Sequence, residues 1–148
     1  MSMKICSNKR AYFEYEIIEK HIAGIQLQGS EVKSIRNGKI SISESYCFID
    51  NNLELYLKGA NISLHKEGGI HNNHNTVRDR KLLMKKKEII KLSENISQRG
   101  LTIVPLSIFL SEIGLIKVEI GLARGKNTFD KRNSIKEKDI KRDLERNQ

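Results

Sequence analysis

The sequence predicts a mainly β protein: an OB-fold-like small barrel with two or three short helices and a basic C-terminal tail. Three observations predict this class. Apolar and polar side chains alternate over much of residues 1–123, as they do in half-buried strands. Helical spacing is confined to two stretches, so a closed sheet fits better than a parallel one. Large apolar residues become rare after Ala123. We therefore expect a barrel over residues 1–123 and a tail over residues 124–148.

The chain carries an excess of positive charge. Its 148 residues include 27 Lys and Arg against 18 Asp and Glu, a formal net charge of +9. Such a surface attracts polyanions, of which phosphate backbones are the commonest. The abundance of Lys, Ile and Asn is also typical of an A/T-rich genome, so clustering of the cations is more informative than their number.

The sequence also predicts a compartment. No stretch reaches the roughly 20 apolar residues that a membrane span needs. Cys6 and Cys47 are too few for a disulfide framework. We expect a cytoplasmic monomer that contacts no membrane.

Strands and a short helix are predicted in the first part of the chain. Apolar and polar residues alternate in Ile25–Gln28 and in Leu53–Lys58, which predicts two strands. Between them, residues 30–38 predict a helix that Ser30 caps and Gly38 ends.

The two faces of this helix differ in character. Glu31 suits its positive N-terminal end, and Val32 and Ile35 are expected to face the core. Lys33 and Arg36 then share the outer edge, because residues three apart are neighbours on a helix.

A loop and a longer helix are expected next. Gly68–Asn75 has no periodicity and is rich in residues that tolerate turns. Residues 80–97 place apolar side chains near helical spacing, which predicts a helix. Four lysines supply its polar side: Lys85, Lys86, Lys87 and Lys91.

Two more strands follow the glycine that ends this helix, Gly100. Alternation resumes in Leu101–Leu110 and is clearest in Ile116–Leu122. Pro105 has no amide hydrogen, so it predicts an edge strand or a bulge.

The predicted tail begins at Arg124. It has nine basic and five acidic residues but only four large apolar ones. So little apolar surface cannot hold a segment against a core. We expect it to be disordered alone and partly helical from about Ser134 when bound.

No catalytic motif is present in the sequence. His71 and His74 have a spacing that could share a metal ion, but no cysteine ligand or carboxylate pair lies near them. Phosphate-binding and nucleophile motifs are also missing, so we expect neither a cofactor nor an enzyme. A metal-dependent nuclease using scattered acids and histidines is the alternative from another functional class.

Clustered cations favour nucleic-acid binding. Residues 78–91 hold seven basic residues against two acids, and further cations lie at Lys33, Arg36 and Lys39 and in the tail. Aromatic residues are only 5% of the chain, without Trp, which gives poor support for a base-stacking platform. The pattern indicates recognition of folded RNA through phosphates and shape.

Several stretches of the chain are similar to one known family. They are Asn8–Ala11, Ala23–Ile25, Gly29–Lys39, Arg78–Met84, Gly100–Leu106, Lys117–Lys126 and Phe129–Arg132. In these stretches, and in their order from about Asn8 to Arg142, the chain resembles the SmpB family of SsrA-binding proteins. One departure is Ile22, which stands where the family usually has an acid.

The resemblance implies a function for the chain. It implies an OB-fold barrel that binds the tRNA-like domain of transfer-messenger RNA (SsrA RNA) and delivers it to stalled ribosomes for trans-translation. Its implied partners are this RNA, the small-subunit ribosomal RNA and the elongation factor Tu complex. A generic RNA chaperone with the same barrel is the alternative within binding proteins, and it should tolerate loss of residues after Gly125.

The resemblance also assigns expected roles to individual residues. The expected RNA-binding residues are Asn8, Lys33, Arg36, Arg78, Arg80 and Lys81. Contacts in the ribosomal decoding centre are expected from Phe129, Asp130, Lys131 and Arg132. The tail, including Lys136, Lys138, Lys141 and Arg142, is expected to enter the vacant messenger channel.

Overall fold

The computed structural model describes residues 3–64 and 74–126 of the chain. Within these residues the chain forms nine strands and three helices. The strands are β1 (Met3–Ser7), β2 (Tyr15–Ile25), β3 (Ile40–Ser41), β4 (Tyr46–Ile49), β5 (Leu55–Lys58), β6 (Asn61–Ile62), β7 (Arg80–Leu83), β8 (Thr102–Leu110) and β9 (Ile116–Gly125). The helices are α1 (Lys9–Glu14), α2 (Gly29–Arg36) and α3 (Lys86–Arg99).

Seven of these strands form one antiparallel sheet that curls into a barrel. Their order is β1-β8-β9-β2-β7-β5-β4, and β3 pairs separately with β6. The last strand of this order, β4, lies against β8. Register shifts in β1, β2 and β8 add the local bends that a curled sheet needs. The prediction of a mainly β, OB-like barrel with two or three short helices is confirmed, with three helices observed.

The core of the barrel is aliphatic. Val118, Ile120 and Leu122 of β9 have no exposed surface, and Leu106 and Ile108 of β8 are equally buried. The alternation that predicted β9 therefore marks its inward side. Burial of this kind stabilises a domain by about 25 cal/mol per Å² of apolar surface.

The position of Pro105 agrees with the sequence prediction. It lies in β8 beside a register shift, and the pairing of β1 with β8 covers only Ser107–Leu110. Pro105 thus lies outside the hydrogen-bond ladder between β1 and β8. Its missing amide hydrogen therefore removes no hydrogen bond from that ladder.

Helix α2 is close to its prediction, but its cap is different. The helix begins at Gly29, and Gln28 with Glu31 forms a capping box in place of the expected Ser30 cap. Ile35 is buried and Val32 is partly buried, as expected. Gly38 has a φ of 73° just after the helix, which only glycine adopts readily.

The second predicted helix begins later than expected. Residues Arg80–Leu83 form β7 between β2 and β5, and α3 runs from Lys86 to Arg99. The sequence was misleading because Arg80 faces inward with Leu82. A charged residue at an inward position interrupts the alternation of apolar and polar residues by which a strand is predicted. Gly100 ends α3 in the left-handed conformation, as expected.

Two elements near the N-terminus were not predicted from the sequence. Strand β1 pairs with β8, and α1 is a six-residue helix that Asn8 caps by accepting a hydrogen bond from the amide of Ala11.

At the C-terminal end of the described residues, β9 continues two residues past the expected boundary at Ala123. None of the helices in the described ranges is long and apolar enough to cross a membrane.

We predict that Gly59→Ala destabilises the barrel by about 1–3 kcal/mol. Gly59 has a φ of 78°, and a Cβ there would lie 3.0 Å from the carbonyl oxygen of Glu44. Urea unfolding measures the loss. Gly29→Ala is the matched control, because nothing lies within 4 Å of its Cβ position; equal stability of the two variants would contradict the prediction.

Candidate nucleic-acid interface

Helix α2 presents two cations at its C-terminal turn. Lys33 and Arg36 are both exposed there, where the negative end of the helix dipole favours positive charge. Neither side chain forms an ion pair or hydrogen bond within residues 3–64 and 74–126. They are therefore available to an anionic ligand.

An apolar groove lies beside these cations. It has a volume of about 400 Å³, and cationic side chains, Arg36 and Lys117, contribute to its lining. The other lining residues are Gly24, Ile25, Leu27, Val32, Leu83, Gly114, Leu115 and Ile116. Leu83 and Leu115 are about half exposed, so the apolar surface is accessible to a ligand.

The make-up of the groove suits an unstacked nucleotide. Apolar walls accept the face of a base, while cations at the wall can pair with phosphates. Lys117, like the α2 cations, has no partner among the side chains that the structure describes. Exposed Ile22 lies nearby on β2, opposite Glu119 of β9, and adds apolar surface.

A buried carboxylate fixes one side of this groove. Glu31 has no exposed side-chain surface and accepts hydrogen bonds from Arg78 and from the Nε of Arg80, the latter at 2.7 Å. It also accepts the amide of Gln28 at 2.8 Å. One side chain thus joins α2 to β7 and to the segment that precedes β7.

The charged state of Glu31 is stabilised by these donors. Burial on its own would raise the pKa of this carboxyl, but hydrogen bonds from Arg78, the Gln28 amide and Arg80 lower the pKa below its ordinary value. Because the folded pKa is depressed, the stabilisation is present above the unfolded value of about 4.3 and is lost as the pH falls through the folded value.

Two of the expected RNA-binding residues are structural. Arg80 has no exposed surface, and it donates to the carbonyl oxygens of Ala60 at 2.7 Å, Thr76 at 3.1 Å and Asn75 at 3.2 Å. Asn8 is 4% exposed, and its Nδ2 donates to the carbonyl oxygen of Pro105 at 3.0 Å. The polar groups of both side chains bond to neighbouring groups of the fold, and their expected contact with RNA stays a prediction.

Arg78 and Lys81 are intermediate cases. The side chain of Arg78 is 28% exposed and is held by Glu31, and its Nη1 donates to the carbonyl oxygen of Asp79 at 3.1 Å. Lys81 is 36% exposed, and its Nζ lies 3.3 Å from Glu54. The exposed part of each side chain is accessible to a ligand.

The histidine that was considered as a metal ligand has another role. His74 is 6% exposed; its Nε2 donates to the carbonyl oxygen of Ile62 at 2.8 Å, and its Nδ1 bonds Ser30 Oγ at 2.8 Å. It is neither solvated nor open to phosphate. No group of three metal-ligating side chains occurs in the ranges that the structure describes, and His71 lies outside them.

The predicted ribosome-contacting residues also lie outside the described residues. These are Phe129, Asp130, Lys131, Arg132, Lys136, Lys138, Lys141 and Arg142. The described chain ends where Lys126 donates its amide to the carbonyl oxygen of Glu14 at 2.9 Å. Its Nζ also donates to the carbonyl oxygen of Tyr12 at 3.3 Å, so α1 holds the residue that follows β9.

Sequence reasoning missed most of the groove. Leu83 lies on β7, whereas Leu115 lies just before β9 and Lys117 at its start, both more than 30 positions later. The sequence pattern around each residue predicted only secondary structure. One signal was available in Leu82-Leu83, where two adjacent apolar residues in a strand must include one that points outward.

Comparisons with known proteins identify relatives over nearly the whole chain. The family model described as "SmpB protein" matches residues 5–148. An SsrA-binding protein of Cytophaga hutchinsonii is 50% identical over 139 residues, which are 94% of this chain and 90% of that protein. One from Prochlorococcus marinus is 48% identical over 141 residues, 95% of this chain and 84% of that protein.

A solved structure has a similar fold. It is described as "tmRNA-SmpB: a journey to the center of the bacterial ribosome", and its chain superposes with a TM-score of 0.68 at 43% sequence identity. The match covers 83% of this chain and 85% of that one.

We predict that Glu31→Gln destabilises the barrel by about 3 kcal/mol or more at pH 7, because it leaves two buried or half-buried arginines without their anion. Urea unfolding at pH 7 and at pH 3.5 checks this. The variant should also lose part of the acid sensitivity of the wild type, since the depressed pKa of Glu31 is its cause.

Glu54→Gln is the matched control for this variant. Glu54 also pairs with a cation, Lys81, but at the surface, where ion pairs contribute little. A Glu31→Gln protein as stable as the control would show that the buried carboxylate does not hold the groove together.

Proposed function

The chain belongs to the SmpB protein family, and from this premise we propose that it binds the tRNA-like domain of transfer-messenger RNA and brings it to stalled ribosomes for trans-translation. Relatives named SsrA-binding proteins support the RNA partner. The groove between α2, β2, β7 and the β8–β9 turn is the structural observation that carries the proposal. It combines accessible apolar surface with cations that have no partner among the described residues.

The groove supports recognition of a folded RNA rather than of a uniform duplex. A duplex offers phosphates but no free base face. Exposed lysines on a surface are therefore enough to bind it. An apolar groove with cations in its wall gains more from an RNA whose loop displays an unstacked base. Arg36 and Lys117 would then bind the phosphates on either side of that base, and Lys33 would add to the local field.

The acid that the family usually carries is replaced in this chain by Ile22. Its direct neighbour across β9 is Glu119, and residues in direct register lie on the same face of a sheet. Glu119 therefore places a carboxylate about 5 Å from the position of the missing one. We infer that Glu119 provides the hydrogen-bond acceptor at this site.

The basic tail gives the protein its second contact. Residues 127–148 follow directly from the point that α1 fixes through Lys126. We propose that Phe129, Asp130, Lys131 and Arg132 contact ribosomal RNA in the decoding centre, and that the cations of the remaining tail enter the vacant messenger channel. Arg124, on the barrel side, pairs only loosely with Glu16 at 3.7 Å.

The cost of ordering the tail supplies selectivity. Fixing the backbone of one residue costs about 1–2 kcal/mol, so a folded tail requires many compensating phosphate contacts. Those contacts exist only when no messenger occupies the channel. Ribosomes with a complete messenger would then be poor targets.

We propose that the protein binds RNA and catalyses no reaction. We also propose that it acts in the cytoplasm, together with the elongation factor Tu complex. A generic RNA chaperone would bind many RNAs alike and would not need the tail. A metal-dependent nuclease would cleave the RNA in the presence of Mg²⁺, which an incubation with labelled RNA detects.

We predict that Arg36→Ala and Lys117→Ala each weaken binding of the tRNA-like domain and lower the slope of log K against log salt by about 1, because each removes one phosphate contact. Titrations between about 50 and 200 mM salt measure both quantities. Arg99→Ala is the control, since Arg99 is exposed on α3 and lines no part of the groove.

Unchanged affinity and slope in both groove variants would remove the groove from the interface. The same titration with Glu119→Ala, which removes the acceptor oxygens, tests the proposed carboxylate. That variant should lose affinity with an unchanged salt slope, because a base contact releases no counterions. Full affinity would refute the role of Glu119.

We predict that the triple variant Asp130→Ala, Lys131→Ala, Arg132→Ala blocks peptide tagging on stalled ribosomes but keeps the wild-type affinity for the tRNA-like domain. The reason is that barrel and tail make separate contacts. A reconstituted tagging assay, run beside the binding titration, checks both halves. Normal tagging by this variant would contradict the role proposed for the tail.

A further inference from the structure

The few aromatic side chains of this protein are unusually placed. Within residues 3–64 and 74–126 no Phe or Tyr is fully buried, and the core is built from aliphatic residues instead. Tyr46 is 52% exposed and Phe48 is 44% exposed, and both lie on β4. Large aromatic rings left on a surface commonly mark a binding site.

Strand register brings two of these rings and a lysine into one row. Phe48 lies directly opposite Tyr56, and Tyr56 lies directly opposite Lys81, so the three form a row across β4, β5 and β7. Tyr46 lies opposite Lys58 in the next row. Residues in direct register share one face and lie about 5 Å apart. Because Cys47, Leu57 and Arg80 face the core, this row occupies the outer face.

Two lysines on this face can be released for a ligand. The Nζ of Lys58 lies 4.5 Å from the centroid of the Phe48 ring and 3.7 Å from Asp79. The Nζ of Lys81 lies 3.3 Å from the carboxylate of Glu54. This carboxylate also accepts a hydrogen bond from the Tyr56 hydroxyl at 2.9 Å. Partly exposed pairs of this kind are weak, so a phosphate can replace the carboxylate at little cost.

We propose that this aromatic–lysine face, formed by Tyr46, Phe48, Tyr56, Lys58 and Lys81, binds unpaired nucleotides of an RNA by stacking. The bases lie on the rings of β4 and β5. Lys58 moves aside from the Phe48 ring and, with Lys81, pairs with the phosphates. Stacking on aromatic side chains does not depend strongly on the base, so we expect broad sequence tolerance.

The position of the face favours RNA over a protein as the occupant. Leu83 of the groove is two residues from Lys81 on β7, so both point to the same side about 7 Å apart. The face therefore continues the surface on which the proposed function places RNA, and to that extent it rests on that proposal. It deepens that proposal by adding a site for unpaired nucleotides next to the site for the folded domain.

A tryptophan reporter tests the inference. The natural chain has no Trp, so Phe48→Trp adds a single indole whose emission is quenched when a base stacks on it. The probes are an eight-nucleotide single-stranded RNA and the blunt duplex made from it. We expect saturable quenching by the single strand and weaker quenching by the duplex, with affinity falling at least 5-fold when Tyr46→Ala is added.

Matched variants separate stacking from a loss of folding. Phe48→Leu keeps an apolar side chain of similar size but cannot stack, and it should also lose affinity for the single strand. Tyr12→Ala removes another exposed aromatic that has a lysine nearby, Lys20 at 5.5 Å, but that lies on α1 and not on β4 or β5. It should bind the single strand as the wild type does.

Equal quenching by single strand and duplex, or wild-type affinity in Phe48→Leu, would overturn the inference. A Tyr46→Ala, Phe48→Ala protein that keeps all RNA affinities but no longer binds ribosomal proteins would assign the face to a protein and would also overturn it. Titration of the wild type with the tRNA-like domain tests the proposed function separately. Strong binding there without a single-strand response leaves that function intact while this inference fails.

Discussion

One buried carboxylate determines the geometry on which the proposed interface depends. Glu31 joins the first turn of α2 to Arg80 in β7 and to Arg78 just before it, so the helix and the strand that form opposite walls of the groove cannot shift independently. Arg80 extends the connection to the carbonyl oxygens of Ala60, Asn75 and Thr76. Removing one partner of such a network leaves buried charge behind, which costs about 3–5 kcal/mol.

The cations of this basic protein fall into two groups with different physical roles. Arg80 is buried and Arg78 is half-buried, and both hold the fold together through Glu31. Lys33, Arg36 and Lys117 have no partner in the parts of the chain that the structure describes. A net charge of +9 explains attraction to RNA at a distance, and we propose that these three residues determine where the RNA binds.

The sequence predicted the elements with regular alternation better than it predicted the site. Strand β9, helix α2 and the position of Pro105 followed from periodicity and backbone chemistry. Strand β7 did not, because Arg80 is a charge that faces inward and only its partner Glu31, 49 positions away, makes this possible. The groove could not be predicted either, since four separate elements supply its walls and only the closed barrel brings them together.

We propose that the groove recognises a folded RNA and does not merely attract phosphates. The most direct test is a titration of the wild-type protein with the tRNA-like domain and with an ordinary tRNA, at about 50 and 200 mM salt. We expect a preference for the tRNA-like domain that persists at the higher salt, because contacts with bases release no counterions. Equal affinity for both RNAs, falling steeply and in parallel with salt, would contradict it.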